Sequence, residues 1–492
     1  MIRTLLLSIL ITGSAYARGD EPAESRPIPG QSVIKVMAAD VLDDLIDDID
    51  SISGTDSTSI LNSIPSLNIF TLSYSPDLPP EDAAAINQKI ADSVEDGALD
   101  WGEPNLSVDP ASGQTDSLWV SGLGINGQSY KSQYALELLD IDVAQDDSRG
   151  EGVLLAIVDT GVDDTHPAIL SCMSPHGKNF IYQFMDPNDA ANNVDDDNDG
   201  LIDEMVGHGT FLAGLVNLVA PNARILPVTV LNSDGVGSTA IVAQGISYAV
   251  DQGAHVILLA LGTETRSEAI ATAVKYATDN GAIVVSPVGN GGEMACMHPA
   301  SEPNVLAVAG STFEDVRGTF SNYHPSVDIC APGSSEIIQG DPTPSRCIIG
   351  PRPGGDYFAA EGTSFSTAFA AGTAALFRAQ HPEWPNLIVP PSQIHIMIGN
   401  ALRTSSVEIP ISPIIGARPR VHASQSTAIG NPVTGMGDID GDGRVGPADL
   451  GLALASWGLE LPTGGPLQRA DLNCDFKVLA DDIGLILALW SK

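Results

Sequence analysis

From Val153 to Val158, Val256 to Ala260 and Ala282 to Val285 the chain runs through short unbroken apolar stretches. That pattern suits strands buried on both faces of a parallel sheet. Segments with apolar residues at helical spacing lie between them. Sustained from about residue 131 to 430, the alternation predicts a large parallel α/β domain. The stretch before it has another rhythm. Ser32 to Met37 alternates like a half-buried strand, and Ala38 to Ile52 has helical spacing. Leu67 to Tyr74 is strand-like again, and Glu81 to Val94 reads as a helix entered through Pro79-Pro80. Leu99-Asp100-Trp101-Gly102-Glu103-Pro104-Asn105 closes the unit. Strand–helix–strand–helix–strand over 31–108 predicts a small α+β domain.

Breaks in the pattern mark the boundaries. Residues 1–17 have a basic start at Arg3, an apolar run from Thr4 to Thr12 and an Ala15-Tyr16-Ala17 cleavage signal. They read as a signal peptide cut before Arg18, which predicts a secreted protein. No other run approaches the ~20 apolar residues a membrane span needs, so no membrane anchor is expected. Residues 18–30 are polar and Pro-rich, and are expected to be flexible. Residues 109–130, rich in Ser, Gly and Asp, form a linker and the natural place for a processing cut. A Gly/Pro/Thr linker at 431–437 leads to two similar acidic units within 438–492.

Composition narrows the partners. A chain of 492 residues is too long for one core, and 43% hydrophobic residues suffice for several. A formal net charge of −40 argues against nucleic acid and anionic membranes. The remaining readings of that charge are solubility, cation sites and adaptation to a salty medium. Five cysteines are too few for a disulfide scaffold. Cys330 with Cys347 and Cys172 with Cys296 are open as pairs.

Three segments carry candidate chemistry. Val158-Asp159-Thr160-Gly161 is an apolar strand running into an Asp and a Gly turn. Gly207-His208-Gly209-Thr210 precedes the apolar helical run Phe211 to Val219. Gly362-Thr363-Ser364-Phe365-Ser366 precedes the small-residue helix Ala368 to Leu376. Acyl transfer by serine needs a base, a buried carboxylate to orient it, and donors for the oxyanion. Asp159, His208 and Ser364 supply the first two in the order Asp, His, Ser. A helix starting at Ser364 would aim backbone N–H groups at the oxyanion.

These segments resemble the Asp, His and Ser motifs of the subtilisin-like serine proteases. A fourth, Ile283 to Asn290, resembles the family's strand ending in the oxyanion-hole Asn. The resemblance covers about 131–430 and implies a subtilisin-like sandwich of helices around a parallel sheet. It implies catalytic roles for Asp159, His208, Ser364 and Asn290, with the Ser364 N–H as second oxyanion donor. It also implies that substrate lies as an extra strand between Asp234-Gly235-Val236-Gly237 and Ala260-Leu261-Gly262. Phe211, Ala260 and Ala368 replace the family's usual His, Ser and Pro. Met297, before His298-Pro299-Ala300, stands where Gly is frequent beside the S1 pocket; a core Met is the other reading. Residues 31–108 resemble the family's inhibitor-like propeptide. The rival expectation is a catalytically weak, protein-binding member.

Two regions suit Ca²⁺. In Asn193 to Glu204 the candidate ligands are Asp195, Asp197, Asp199, Asp203 and the Leu201 carbonyl, with Gly200 at the turn. Position twelve would be Val206, so this is not a complete EF-hand. Near the C-terminus, Asp438, Asp440, Asp442 and Asp449 precede a helix expected from Leu450 to Trp457. Asp471, Asn473, Asp475 and Asp482 precede a second, Ile483 to Trp490. A loop and one helix, repeated, resembles a dockerin, a small α-helical module, and implies a cohesin-like partner. Phe476 replaces the turn Gly of the second loop and Leu479 a usual ligand, so that site is expected to be weaker. The chain is expected to be a monomer.

Overall fold

The computed structural model describes residues 25–428 and 447–455, apart from 39–40, 56, 111–119, 123, 183, 197–199, 339–340, 387–388, 405–406 and 413–414.

The N-terminal unit contains β1 (Pro27–Val36), α1 (Val41–Ser53), β2 (Ser59–Ile64), β3 (Ile69–Ser73), α2 (Pro80–Glu95) and β4 (Leu99–Pro110). Its antiparallel sheet has the order β4-β1-β3-β2. Two features differ from the sequence expectation. β1 begins at Pro27, inside the stretch expected to be flexible. β2 is an additional strand, Ser-Ile-Leu-Asn-Ser-Ile, with Ile60 and Leu61 exposed. One face of the sheet packs Ile34, Leu72 and Leu99 against Leu45, Ile49, Ile86 and Ile90 of α1 and α2.

The main domain is built on seven parallel strands: β5 (Leu154–Asp159), β6 (Lys178–Asn179), β7 (Arg224–Thr229), β9 (Val256–Leu259), β11 (Ile283–Pro287), β12 (Val305–Ser311) and β13 (Ile329–Pro332). Two short strands, β8 (Gly237–Ser238) and β10 (Leu261–Gly262), lie outside this sheet. Its order is β13-β12-β11-β9-β5-β7-β6. Every residue of β9, β11 and β12 is buried, as their unbroken apolar character requires. Helices α3 (His208–Val219) and α6 (Thr363–Ala379) share a core with one face. Helices α4 (Thr239–Asp251) and α5 (Glu268–Asp279) share a core with the other. That second core also takes in Val33, Ile64 and Ile69 of the N-terminal unit. The main domain therefore has the expected α/β layering, with α4 and α5 between its sheet and the N-terminal sheet.

Cys172, Cys296, Cys330 and Cys347 are all free thiols, so neither open pairing forms. Burial holds the Cys330 and Cys296 thiols up at about 12. The expected signal peptide at 1–17 and linker at 431–437 lie outside the described residues, as do Asp438, Asp440, Asp442, Asp471, Asn473, Asp475 and Asp482. Of the C-terminal region, the helix Pro447–Ala455 is described, and Asp449 falls on it. Among the described residues no helix is long and apolar enough to cross a membrane.

Candidate active site

The seven-stranded sheet places three chemically distinct residues at element ends. Asp159 is the last residue of β5, His208 the first of α3, and Ser364 the second of α6. All three are fully buried. The two turns meet because glycine permits it. A Cβ on Gly209 would strike the Gly161 carbonyl oxygen, and Gly207 enters α3 at φ +103°.

One carboxylate oxygen gathers the contacts. Asp159 Oδ1 accepts from His208 Nδ1 at 2.7 Å and from the Thr160 N–H at 2.8 Å. A carboxylate on Nδ1 orients the imidazole and leaves Nε2 to exchange protons. The His208 ring packs near Phe365, with centroids 5.8 Å apart. Phe211, in place of the family's usual His, lies 4.6 Å from the Phe365 ring centroid and faces Gly350. Ala368 is fully buried in the core.

Asn290 lies three residues beyond β11. Its Oδ1 accepts from the Thr363 N–H and from Thr363 Oγ1, both at 2.8 Å. Those two bonds fix the orientation of the amide, with Oδ1 on Thr363, the residue before Ser364. Ser364 Oγ donates to the Ala260 carbonyl oxygen at 3.3 Å. The Ser hydroxyl thus sits against one of the two segments expected to hold substrate.

Both segments are paired, and their partner is the chain itself. β4 leaves the N-terminal sheet and runs between β8 and β10. Ser107 and Val108 pair antiparallel with Ser238 and Gly237. Asp109 and Pro110 pair with Gly262 and Leu261 on the other side. Val108 is fully buried. Asn232 holds the Gly235 turn in shape through bonds to and from Val236. Met297 is half-buried, with its side chain close to Gly262 and Gly289.

The N-terminal unit also reaches two helix starts. Asn105 Oδ1 accepts from the Ala240 N–H and Thr239 Oγ1, each at 3.1 Å, at the start of α4. Glu103 accepts from the Glu268 N–H at 2.8 Å, the Ala269 N–H at 3.0 Å and Ser267 Oγ at 2.7 Å, at the start of α5. Both caps satisfy orphan donors, and Glu103 also meets the positive end of a helix dipole. Burial nevertheless holds the Glu103 carboxyl above its ordinary value, outweighing those bonds.

The acidic loop is tied to this groove. Asp234 accepts from the backbone N–H groups of Asp196 and Asp203. Asp203 accepts from the Asn192 and Asn193 N–H groups at 2.8 and 3.0 Å, and Asp195 from the Gly200 N–H at 3.0 Å. The Leu201 side chain is exposed. Asp197 and Asp199 lie outside the described residues. Among the described residues no three acidic, His or Cys side chains converge as a metal-ligand group.

Sequence reasoning missed Asp189, a buried carboxylate linking the Asp159 and His208 turns, and the capping roles of Glu103 and Asn105. Their partners lie far along the chain, so no local pattern announces them.

The subtilase family model matches residues 150–408. The chain belongs to the subtilase family. It is a serine endopeptidase of the subtilisin type. It is 35% identical over 258 residues to thermitase of Thermoactinomyces vulgaris, covering 50% of this chain and 82% of that protein. To the thermophilic serine proteinase of Bacillus sp. strain AK1 it is 34% identical over 283 residues, 57% of this chain and 64% of that one. The crystal structure of fervidolysin from Fervidobacterium pennivorans matches with a TM-score of 0.59 at 19% identity. That match covers 83% of this chain and 62% of fervidolysin, and shows likeness of fold.

Proposed function

We propose that this subtilase is a secreted endopeptidase made as a precursor, whose residues 31–108 fold as an inhibitor-like propeptide. Ser364 is the nucleophile. Its Oγ attacks the substrate carbonyl carbon while His208 Nε2 takes the hydroxyl proton. Asp159 orients His208 and stabilises the imidazolium. The Asn290 side-chain amide and the Ser364 N–H meet the oxyanion. The C–N bond breaks, and the amine leaves with the proton from His208. Water, deprotonated by His208, then hydrolyses the acyl-enzyme and releases Ser364. Substrate pairs with Gly235 to Gly237 on one side and Ala260 to Gly262 on the other.

The observation that carries the reading is β4 lying between β8 and β10, with Ser364 Oγ bonded to the Ala260 carbonyl just before β10. It pairs by backbone, as a peptide substrate would. The described pairing ends with Pro110 on Leu261, one residue short of Ala260, whose carbonyl holds Ser364 Oγ. The first bond cut is therefore expected to be Ala111–Ser112. Ca²⁺ in the loop of Asp195, Asp197, Asp199, Leu201 and Asp203 would offset the repulsion of its carboxylates with hard oxygen ligands. The loop's bonds to Asp234 support a role for that ion in keeping the groove's edge in place. The C-terminal units would bind Ca²⁺ and dock a cohesin-like protein.

The test pairs wild type with Ser364→Ala, both expressed as residues 18–492 with Ca²⁺. Wild type alone is expected to hydrolyse casein and yield a mature chain starting at Ser112 on N-terminal sequencing. A folded wild type that stays uncut and inert, like the variant, would overturn the precursor reading and favour a protein-binding role. Cleavage at another bond would overturn the register.

A further inference from the structure

One buried carboxylate has no task in the reaction above. Asp189 is 3% exposed, in the loop between β6 and α3. Its Oδ1 accepts from the Gly207 N–H at 2.9 Å and from Thr160 Oγ1 at 3.3 Å. Its Oδ2 accepts from the Thr210 N–H at 3.1 Å and from Thr210 Oγ1 at 2.7 Å. The two backbone donors bracket His208, and the Thr160 hydroxyl belongs to the residue after Asp159. That hydroxyl stands 3.3 Å from Asp159 Oδ1 and 3.3 Å from Asp189 Oδ1, and it accepts from the Gly209 N–H at 3.1 Å. It has one proton for two carboxylates. Asp189 thus grips both halves of the His–Asp pair without touching the reacting atoms.

The charge is unfavourable where it sits. Burial, aided by repulsion from Asp159, pushes the Asp189 carboxyl up to about 6. The charges acting on it are Asp159 at the end of β5 and Arg352, which also donates to the Val206 carbonyl at 3.2 Å; His208 lies between its two backbone donors at the start of α3. A carboxyl raised in the folded state stabilises the fold below its ordinary value and loses that contribution as pH rises through about 6. At neutral pH the ionised group costs stability. A polar group kept at a cost beside a reactive centre points to a task there.

We propose that Asp189 is a positioning residue of the peptidase reaction, locking the first turn of α3 to the Asp159 turn so that His208 Nδ1 stays on Asp159 Oδ1. The proposal rests on the triad reading. Its test uses Asp189→Asn and Thr160→Val in the full chain 18–492. In Asp189→Asn kcat is expected to fall about tenfold or more, because small misplacements of reacting groups are costly, with KM nearly unchanged. The low-field proton resonance of the His208 Nδ1–H should shift, a readout that mere loss of stability would not move. Thr160→Val should act in the same direction, and the double variant should lose less than the product of the single effects. Wild-type kcat and an unshifted resonance in Asp189→Asn would overturn the proposal whatever happens to its melting temperature. Should Asp189→Asn not fold, Thr160→Val keeps the charge, removes the bridge, and decides by the same two readouts. An inert wild type would sink the triad reading itself; an active wild type matched by an active variant would sink this proposal alone.

Discussion

The two sheets of this subtilase are held by different means. The seven-stranded sheet is a closed interior: parallel, apolar strands between two helix layers, with Asp159 at a strand end and Asn290 just beyond one. The antiparallel sheet is a junction. Four strands belong to the N-terminal unit, and β8 and β10 extend it from the main domain. Its bonds across the junction include backbone pairs, bonds from Glu103 and Asn105 to two helix starts, and Gln244 Nε2 donating to the Ser63 carbonyl. The first sheet positions Asp159; the second, on the proposed precursor reading, holds a unit that is later parted from it. Damage to one should leave the other's function intact.

The largest expected effect lies on the interior side. Asn290→Ala in the mature enzyme should lower kcat by about 10²–10³, the cost of losing this donor in subtilisin. The same variant should bind its N-terminal unit as before. A matching loss of docking, measured as inhibition by the retained unit, would erase the distinction. The next effect lies on the junction side. Asn105→Ala removes the two bonds it accepts at the start of α4, a loss of roughly 1 kcal/mol. The retained unit should inhibit about fivefold less, with the mature enzyme's kcat unchanged.

The smallest effect concerns pH. The Glu103 carboxyl is raised by burial in the docked state, so docking takes up protons. Its contribution is full below the ordinary carboxyl value and is lost as pH rises through the raised one. Inhibition by the retained unit should therefore weaken as pH rises above the ordinary carboxyl value of about 4. Glu103→Gln should flatten that profile. A wild-type profile already flat, or sloping the other way, would break the account of Glu103.

Much of the interior was legible in the sequence. Strands buried on both faces need unbroken apolar runs, and Asp159, His208 and Ser364 each sit where such a run or a helix begins or ends. The N-terminal unit was less legible. β2 leaves Ile60 and Leu61 exposed, so its residues follow no clean alternation. The span of Trp101 to Asn105 stood out as a family-like motif. That Glu103 and Asn105 cap helices more than 130 positions away was not readable, because the partner donors are backbone groups with no residue signature. Asp189 was hidden for a similar reason: two of its donors are backbone N–H groups and the others are ordinary threonine hydroxyls.

β4 has one more consequence. It is fixed at one end by bonds to two helix starts and at the other by pairing with β8 and β10, so on the proposed reading it acts as a measuring rod. The distance from Asn105 to the nucleophile is set in whole residues. Side chains alternate along a strand. A two-residue insertion between Leu106 and Pro110 would keep that alternation and move the cut two positions along the chain. A one-residue insertion would turn every following side chain over. On the proposed reading, the enzyme finds its first bond by length as much as by the residues that flank it.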